Sequence, residues 1–279
     1  MKTAILFFTH LFTPGILAAF EKLRRESSAF GDLFILCENK SRPPKYLQGL
    51  CKTFDIRELA ARYPQIPHAS VIPGNTHLAF CHFSERHPDY DTIWFIEYDV
   101  RFSGSWSRFF AHHHASPSDL LACHLRTHAE EPQWCWWPTL TDNRGPLPPE
   151  QRLRSFLPIC RISRRALRMV SKRLQEGWTG HCEALLPTVL ALGGLLIEDL
   201  GGTGSFTRET NRGSWYTSPS SDDGGLRDSG THRFRPPHQT WGEEPEMIYH
   251  PVKRERLPLG THLRLLRQRF LPGTGRQER

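Results

Sequence analysis

Four absences narrow the reading of this 279-residue chain. No stretch approaches the ~20 consecutive apolar residues of a membrane-spanning helix. No Cys-x-x-Cys pair occurs, and Cys37, Cys51, Cys81, Cys123, Cys135, Cys160 and Cys182 are odd in number and widely spaced. That pattern argues against a zinc knuckle and a disulfide framework, and fits a reducing, cytoplasmic setting. Finally, G-x-x-x-x-G-K-[ST], G-x-G-x-x-G and G-x-S-x-G are all missing, which removes most support for P-loop, dinucleotide-binding and serine-hydrolase readings. A basic stripe interleaved with aromatics is missing too, so no nucleic-acid partner is expected.

What is present is ordinary for a folding chain: 38% hydrophobic and 23% charged residues, enough for one large α/β domain with a real core. The formal charge of +7 favours polyanionic partners such as nucleotide diphosphates, phosphorylated glycans or an anionic membrane surface. The stretch AILFFTHLFTPGILAAF after Lys2 has the hydrophobicity of a leader's core. His10, Pro14 and Gly15 interrupt it, no A-x-A site follows, and it runs on into AAFEKLRRE; a strand, a turn and a helix account for it better.

Periodicity then lays out the order of elements. TAILFFT reads as a buried strand, Pro14 to Glu26 as a helix and DLFILCEN as a second strand, the β-α-β beginning of a parallel sheet. A helix is expected near Asp55 to Arg62, and SVIPGNTHLAFCHFSERHP predicts a short strand, a turn and a helix. TIWFIEYDV has the β-branched and aromatic content of a central strand. GSWSRFFAHHHA reads as a helix, DLLACHL as a strand, and EEPQWCWWPTLTDNRGPLPP as a rigid aromatic connection. FLPICRIS leads into a helix capped by Ser163, with Ala166, Leu167, Val170 and Leu174 on one face and Gly177 stopping it. GWTGHCEALLPTVLALGG is a loop feeding a helix, LLIEDLGG a strand, and MIYHPVK a last short strand. The expectation is one α/β domain over residues 1–253, with a mostly parallel sheet flanked by helices. Thr203 to Glu246 lacks periodicity and is expected as a flexible loop or lid. In the basic tail, 254–279, THLRLLRQRFL can form a small amphipathic helix lying on a membrane, a partner or the domain itself.

Glu97 and Asp99 lie two positions apart at the end of the TIWFIEYDV run. On a strand their side chains leave the same face, with Cα atoms about 6.6 Å apart. Two carboxylates placed together there repel and lose hydration, and a divalent cation removes both penalties. Oxygen ligands favour Mg²⁺ or Mn²⁺. Arg101 can face a phosphate or cap the carboxylates.

The order TAILFFTHLFTPG, helix, DLFILCEN, then PGN, helix and DTIWFIEYDVRFSG resembles the nucleotide-sugar-binding half of GT-A-fold glycosyltransferases, over roughly residues 3 to 253. The resemblance implies a Rossmann-like GT-A sheet, a nucleotide-diphosphate sugar donor, a glycan or lipid-linked acceptor, and an acidic motif holding Mn²⁺ or Mg²⁺ with the sugar diphosphate. The first acidic position here is Glu97, where the family usually carries Asp. The resemblance further implies His250, in IYHPVK, as a third metal ligand and Glu183, in GWTGHCEALLPT, as the catalytic base. Thr9 and His10 fall where such folds touch the nucleotide.

The residues themselves leave alternatives open. A sugar diphosphate leaves only if its developing charge is neutralised, and the acceptor hydroxyl needs a base within reach, for which Glu183, Glu198 and Asp199 are candidates. Glu183 also suits a helix N-terminus as a capping carboxylate. Trp134, Trp136 and Trp137 can stack on an acceptor sugar or pack in the core, with His181 beside them as a ligand or an ordinary loop histidine. His112, His113 and His114 point about 100° apart on a helix and cannot share one ion, so exposure is expected. Other uses of the same carboxylates are a metal-dependent phosphohydrolase or nuclease; a non-catalytic carbohydrate-binding protein would leave them structural.

Overall fold

A computed structural model describes residues 1–219, 225–227 and 229–253; the basic tail lies outside the described residues. The chain begins as the sequence predicts, with β1 (Thr3–Phe8), α1 (Pro14–Ser27) and β2 (Asp32–Glu38). Thr13 caps α1 by accepting from the Ile16 amide, and Pro14 occupies the first turn, where its missing N–H has no consequence. There follow β3 (Cys51–Phe54), α2 (Ile56–Ala60), α3 (Thr76–Arg86), β4 (Thr92–Glu97), β5 (Arg101–Phe102), α4 (Trp106–His114) and β6 (Leu120–Thr127). A small hairpin, β7 (Thr141–Asp142) and β8 (Gly145–Pro146), precedes β9 (Leu153–Ser163), α5 (Arg164–Gln175), α6 (Cys182–Leu192), β10 (Ile197–Asp199) and β11 (Ile248–Tyr249).

Seven strands form one sheet in the order β10-β6-β9-β4-β1-β2-β3, parallel except for β9, which runs antiparallel to both β4 and β6. Successive residues of its central strands feed opposite cores, as the period of two requires. Ala4, Leu6, Ile93 and Phe95 face a core completed by α3, α5 and α6. Ile5, Phe7, Trp94 and Ile96 face a second core completed by α1 and α4. The result is the α/β sandwich expected from the sequence, with a mostly parallel sheet between two helical layers. No helix among the described residues is long and apolar enough to cross a membrane.

Two local expectations change, and one strand appears that the sequence does not announce. Ser70–Ile72 is not a strand: Asn75 Nδ2 donates to the carbonyls of His68 and Ser70, and Ser70 Oγ to that of Ile72. These local side-chain bonds take the groups a ladder would need. Cys51–Phe54, which has little strand patterning, forms the edge strand β3 by pairing parallel to β2, with only its last residue buried. Finally, the strand carrying Glu97 stops there. Asp99 sits in the following turn, closed by Val100 N–H to Glu97 O at 3.0 Å, so the shared strand face inferred for the two acids is replaced by a turn.

The aperiodic segment 203–246 is tied to its surroundings at several described points, including bridges between Asp199 and Thr207, Trp215 and Met247, and His232 and His250. Trp215 and Tyr216 are buried within it.

Phe95, fully buried on β4, packs against Phe80 and Phe8 at centroid distances of 4.3 and 5.1 Å. Phe95→Ala is expected to cost about 3–5 kcal/mol of stability, read as a lower urea midpoint with an unchanged m-value; a loss under about 1 kcal/mol would show that the neighbours close the void.

Candidate active site

The turn after β4 carries the chemistry because two separate pairings hold it. Phe8 lies opposite Glu97 in the sheet, and the Tyr98 amide donates to Phe8 O at 2.9 Å. On the other side β11 pairs antiparallel with β5, and the Val252 amide donates to Asp99 O at 2.8 Å. This second pairing brings His250, distant in sequence, against the turn. His250 Nε2 lies 3.6 Å from Asp99 Oδ1 and 3.9 Å from Glu97 Oε2, while Lys253 Nζ lies 3.9 Å from Asp99 Oδ2. The ligand atoms of Glu97, Asp99 and His250 all lie within 4.8 Å of one another, the single such group among the described residues.

Its electrostatics would suit a bound cation. Asp99 is buried and its Oδ1 accepts no hydrogen bond, a costly state for a carboxylate oxygen with nothing bound to it. Burial, then the negative charges of Asp99 and Glu183, pushes the Glu97 carboxyl up to about 8. His250 donates from Nδ1 to Arg233 O at 2.8 Å, since a carbonyl can only accept. Burial lowers its pKa, against the pull of Asp99, so the neutral ring turns an unprotonated Nε2 toward the acids. A backbone carbonyl fixing the tautomer in this way is the usual support of a metal-ligating histidine. Two oxygens and one imidazole nitrogen fit Mn²⁺ or Mg²⁺. Glu97 keeps 28% of its side chain exposed, which leaves the group open on one side. Close by, Thr231, Arg233, His238 and Tyr249 line a cavity of about 490 Å³.

Glu183 sits in the first turn of α6. His181 caps that helix, with Nδ1 accepting from the Glu183 amide at 3.4 Å. Glu183 Oε1 accepts from the Leu157 amide at 3.2 Å. Burial pushes its carboxyl up to about 7, against the opposing effects of Arg154 and that amide. Helix-terminal stabilisation of a carboxylate therefore loses here to desolvation. Its charge is felt at Glu97, so the α6 N-terminus and the β4 turn share one electrostatic environment.

The other sequence candidates fall into distinct places. His10 is exposed after β1, its ring edge-on to Tyr98 at 5.2 Å. Thr9 is buried, and its hydroxyl donates to Leu11 O and accepts from Leu11 N–H, so it serves its own turn. Arg101, expected to face a phosphate or the carboxylates, is buried, and its Nη1 donates to the carbonyls of Tyr98 and Val100 at 2.7 and 2.9 Å. It braces the turn that presents Asp99. Trp137 lies in the core, only 3% exposed, with its indole N–H on Glu131 O; it offers no ring face to an acceptor. Trp136 is half-buried and stacks on His181 at 4.6 Å. Glu198 is engaged by Ser118 and Arg208, and Asp199 by the Leu125 and Gly201 amides and the Tyr216 hydroxyl. Neither carboxylate is available as a base. His112 and His114 are exposed, whereas His113 is buried against Trp94 and Phe109.

Sequence reasoning passed over Arg154, Glu131, His124 and Lys253. Lys253 carried a usable signal, three residues after His250. The other three have none, because nothing in RLRSF, HAEEP or ACHLR separates a buried polar group from a solvated one.

A family model described as "Protein of unknown function (DUF3405)" matches residues 38–118. No curated protein matches the chain. Among solved structures, galactosyltransferase LgtC in complex with donor and acceptor sugar analogs is similar at 12% identity and a TM-score of 0.41, with 73% of this chain and 75% of that one covered. A putative glucose-1-phosphate thymidylyltransferase from Bacillus anthracis, in complex with a sucrose, is similar at 13% identity and a TM-score of 0.37, covering 71% and 86%. A glycosyltransferase involved in the glycosylation of the major capsid of PBCV-1 gives 10% identity and a TM-score of 0.31, covering 60% and 62%.

Glu97 titrates at about 8 in the folded chain against an ordinary 4.5. The fold therefore binds a proton that the unfolded chain releases, and the stability this confers is complete below pH ~4.5 and lost as pH rises through ~8. Glu97→Gln is accordingly expected to flatten the decline in urea midpoint between pH 5 and pH 8. Mn²⁺ is expected to restore the wild-type midpoint at pH 8 far more than at pH 5. Parallel curves for wild type and variant, with no response to Mn²⁺, would contradict the site.

Proposed function

We propose that the chain is a metal-dependent glycosyltransferase of GT-A-like fold, moving a sugar from a nucleotide-diphosphate donor to a hydroxyl of a glycan or lipid-linked acceptor. The observation that carries this reading is the pairing of an unsatisfied, buried Asp99 oxygen beside Glu97 and His250 with a second, half-buried acid, Glu183, poised near neutrality. Glu97, Asp99 and His250 would hold Mn²⁺ or Mg²⁺. Such an ion, when bound, neutralises charge developing on a departing nucleotide diphosphate.

The chain's own residues supply the rest. Lys253, beside Asp99, adds positive charge where a diphosphate would lie. Glu183 has one oxygen held by the Leu157 amide and the other 3.7 Å from His181 Nδ1. Its Oε2 is the atom to take the proton of the acceptor hydroxyl, and a pKa near 7 matches a base working at neutral pH. The Trp136–His181 stack, next to that base, is the surface for an acceptor ring. Burial holds His181 at about 3, so it is neutral and suited to hydrogen bonding with hydroxyls. His10, exposed beside Tyr98, would meet the nucleotide. A cytoplasmic location, with the basic tail touching the inner membrane face near a lipid-linked acceptor, completes the reading.

Titration calorimetry with UDP and GDP, with and without Mn²⁺, tests the donor site: tight binding that requires the metal is expected, and metal-independent or absent binding to both would reject it. Glu183→Gln is expected to lower transfer by about 10²–10⁴-fold while leaving nucleotide affinity within about twofold. Donor hydrolysis indifferent to added acceptors would instead favour the phosphohydrolase reading.

A further inference from the structure

A second imidazole stands beside His250. The stretch Thr231, His232, Arg233 runs along it as a parallel bridge: the His250 amide donates to Thr231 O at 2.9 Å and the Arg233 amide to His250 O at 3.0 Å, with His232 as the residue paired to His250. Residues paired across a bridge send their side chains to the same face. His232 therefore leaves the backbone on the side from which His250 reaches Glu97 and Asp99, and the two rings lie 5.5 Å apart, centroid to centroid. The Phe156 ring touches both, at 4.8 Å from His232 and 5.3 Å from His250.

His232 is only 1% exposed, and among the described residues neither Nδ1 nor Nε2 has a hydrogen-bond partner. Either neutral tautomer thus leaves one donor and one acceptor unmet in a dry setting, which is costly. The neighbouring histidines do not share this state. His124 engages both ring nitrogens, on Glu131 and Ser218, and His238 engages both, on Thr231 O and Arg233. If the His232 ring served packing alone, a phenyl group would fill the place without the penalty. Asp99 Oδ1, 3.6 Å from His250 Nε2, is orphaned in the same way. Two residues in contact with His250 therefore carry unmet polar atoms.

His232 falls outside the group whose ligand atoms lie within 4.8 Å of one another, beyond direct reach of an ion held by that group. Mg²⁺ and Mn²⁺ keep waters of their own when carboxylates hold them, and one water spans such a gap. We propose that His232 is an outer member of the cation site, hydrogen-bonded through a ring nitrogen to a water in the hydration shell of the ion that Glu97, Asp99 and His250 would hold. The inference rests on the reading of those three residues as a metal site. His232 acts here as a positioning residue and touches no reacting atom.

Two measurements on the full, metal-free chain test it: titration with Mn²⁺, followed by the EPR signal of the free ion, and urea unfolding without metal. His232→Phe keeps the shape of the ring and removes both nitrogens. It is expected to weaken Mn²⁺ binding about 10–100-fold, while the metal-free urea midpoint stays equal or rises. H232Q, which returns a polar group, is expected to bind Mn²⁺ more tightly than H232F. If H232F does not fold, H232L takes its place. Mn²⁺ affinity in H232F within about twofold of wild type would overturn the inference. So would a lowered metal-free midpoint with H232Q binding no better than H232F, since the ring would then be structural. A wild type that binds no Mn²⁺ would overturn the cation site and this inference together; binding abolished by D99N but untouched by H232F would reject the role of His232 alone.

Discussion

Two carboxylates at the end of a central strand lose their water and face one another, and much of the surrounding architecture serves to keep them there. Left alone, Glu97 and Asp99 would escape by turning into solvent. The Phe8–Tyr98 bond on one side, the Asp99–Val252 bond on the other and Arg101 beneath the turn prevent that. Repulsion is not relieved by rearrangement, so it emerges as chemistry instead: one acid takes up a proton near pH 8 and the other keeps an oxygen without a hydrogen bond. A divalent cation is the species that satisfies both at once.

The pairing of β5 with β11 explains why the site is assembled late along the chain. These two short strands do little for the main sheet, yet they set the His250 ring against an acid from which it is far removed in sequence. The Arg233 carbonyl then fixes which nitrogen the ring presents. Segment 203–246, without helical or strand periodicity, thereby contributes to the site through a backbone atom. Composition says nothing about such a contribution, because every residue type has the same carbonyl.

Legibility followed the same division. Runs such as TAILFF and TIWFIE announce strands buried on both faces, and the capped amphipathic stretch after Ser163 announces a helix, because burial and capping act on side chains. The direction of β9 was not legible: a strand covered on both faces shows the same apolar run whichever way it lies. Glu97, Asp99 and His250, which the sequence singles out, come together in the structure, but the turn that joins the first two reads as strand in the sequence. Arg101 and Arg154 show the limit most clearly. The sequence sets Arg101 beside two acids and Arg154 in no motif, and only packing reveals that one braces a backbone turn while the other is buried against Glu131 and the Trp134 ring.

Glu131 and Glu183 carry that last point further, since the first is buried, the second half-buried, and the Arg154 charge acts on both. Burial alone would raise each of them. At Glu131 the His124 hydrogen bond and the Arg154 charge overcome burial and bring the carboxyl below its ordinary range. At Glu183 the Arg154 charge and a single amide do not, and the carboxyl stays near 7. Identical side chains thus take opposite roles according to how many hydrogen bonds reach them. The fully engaged acid anchors the arginine, and the partly engaged one keeps the capacity to accept a proton.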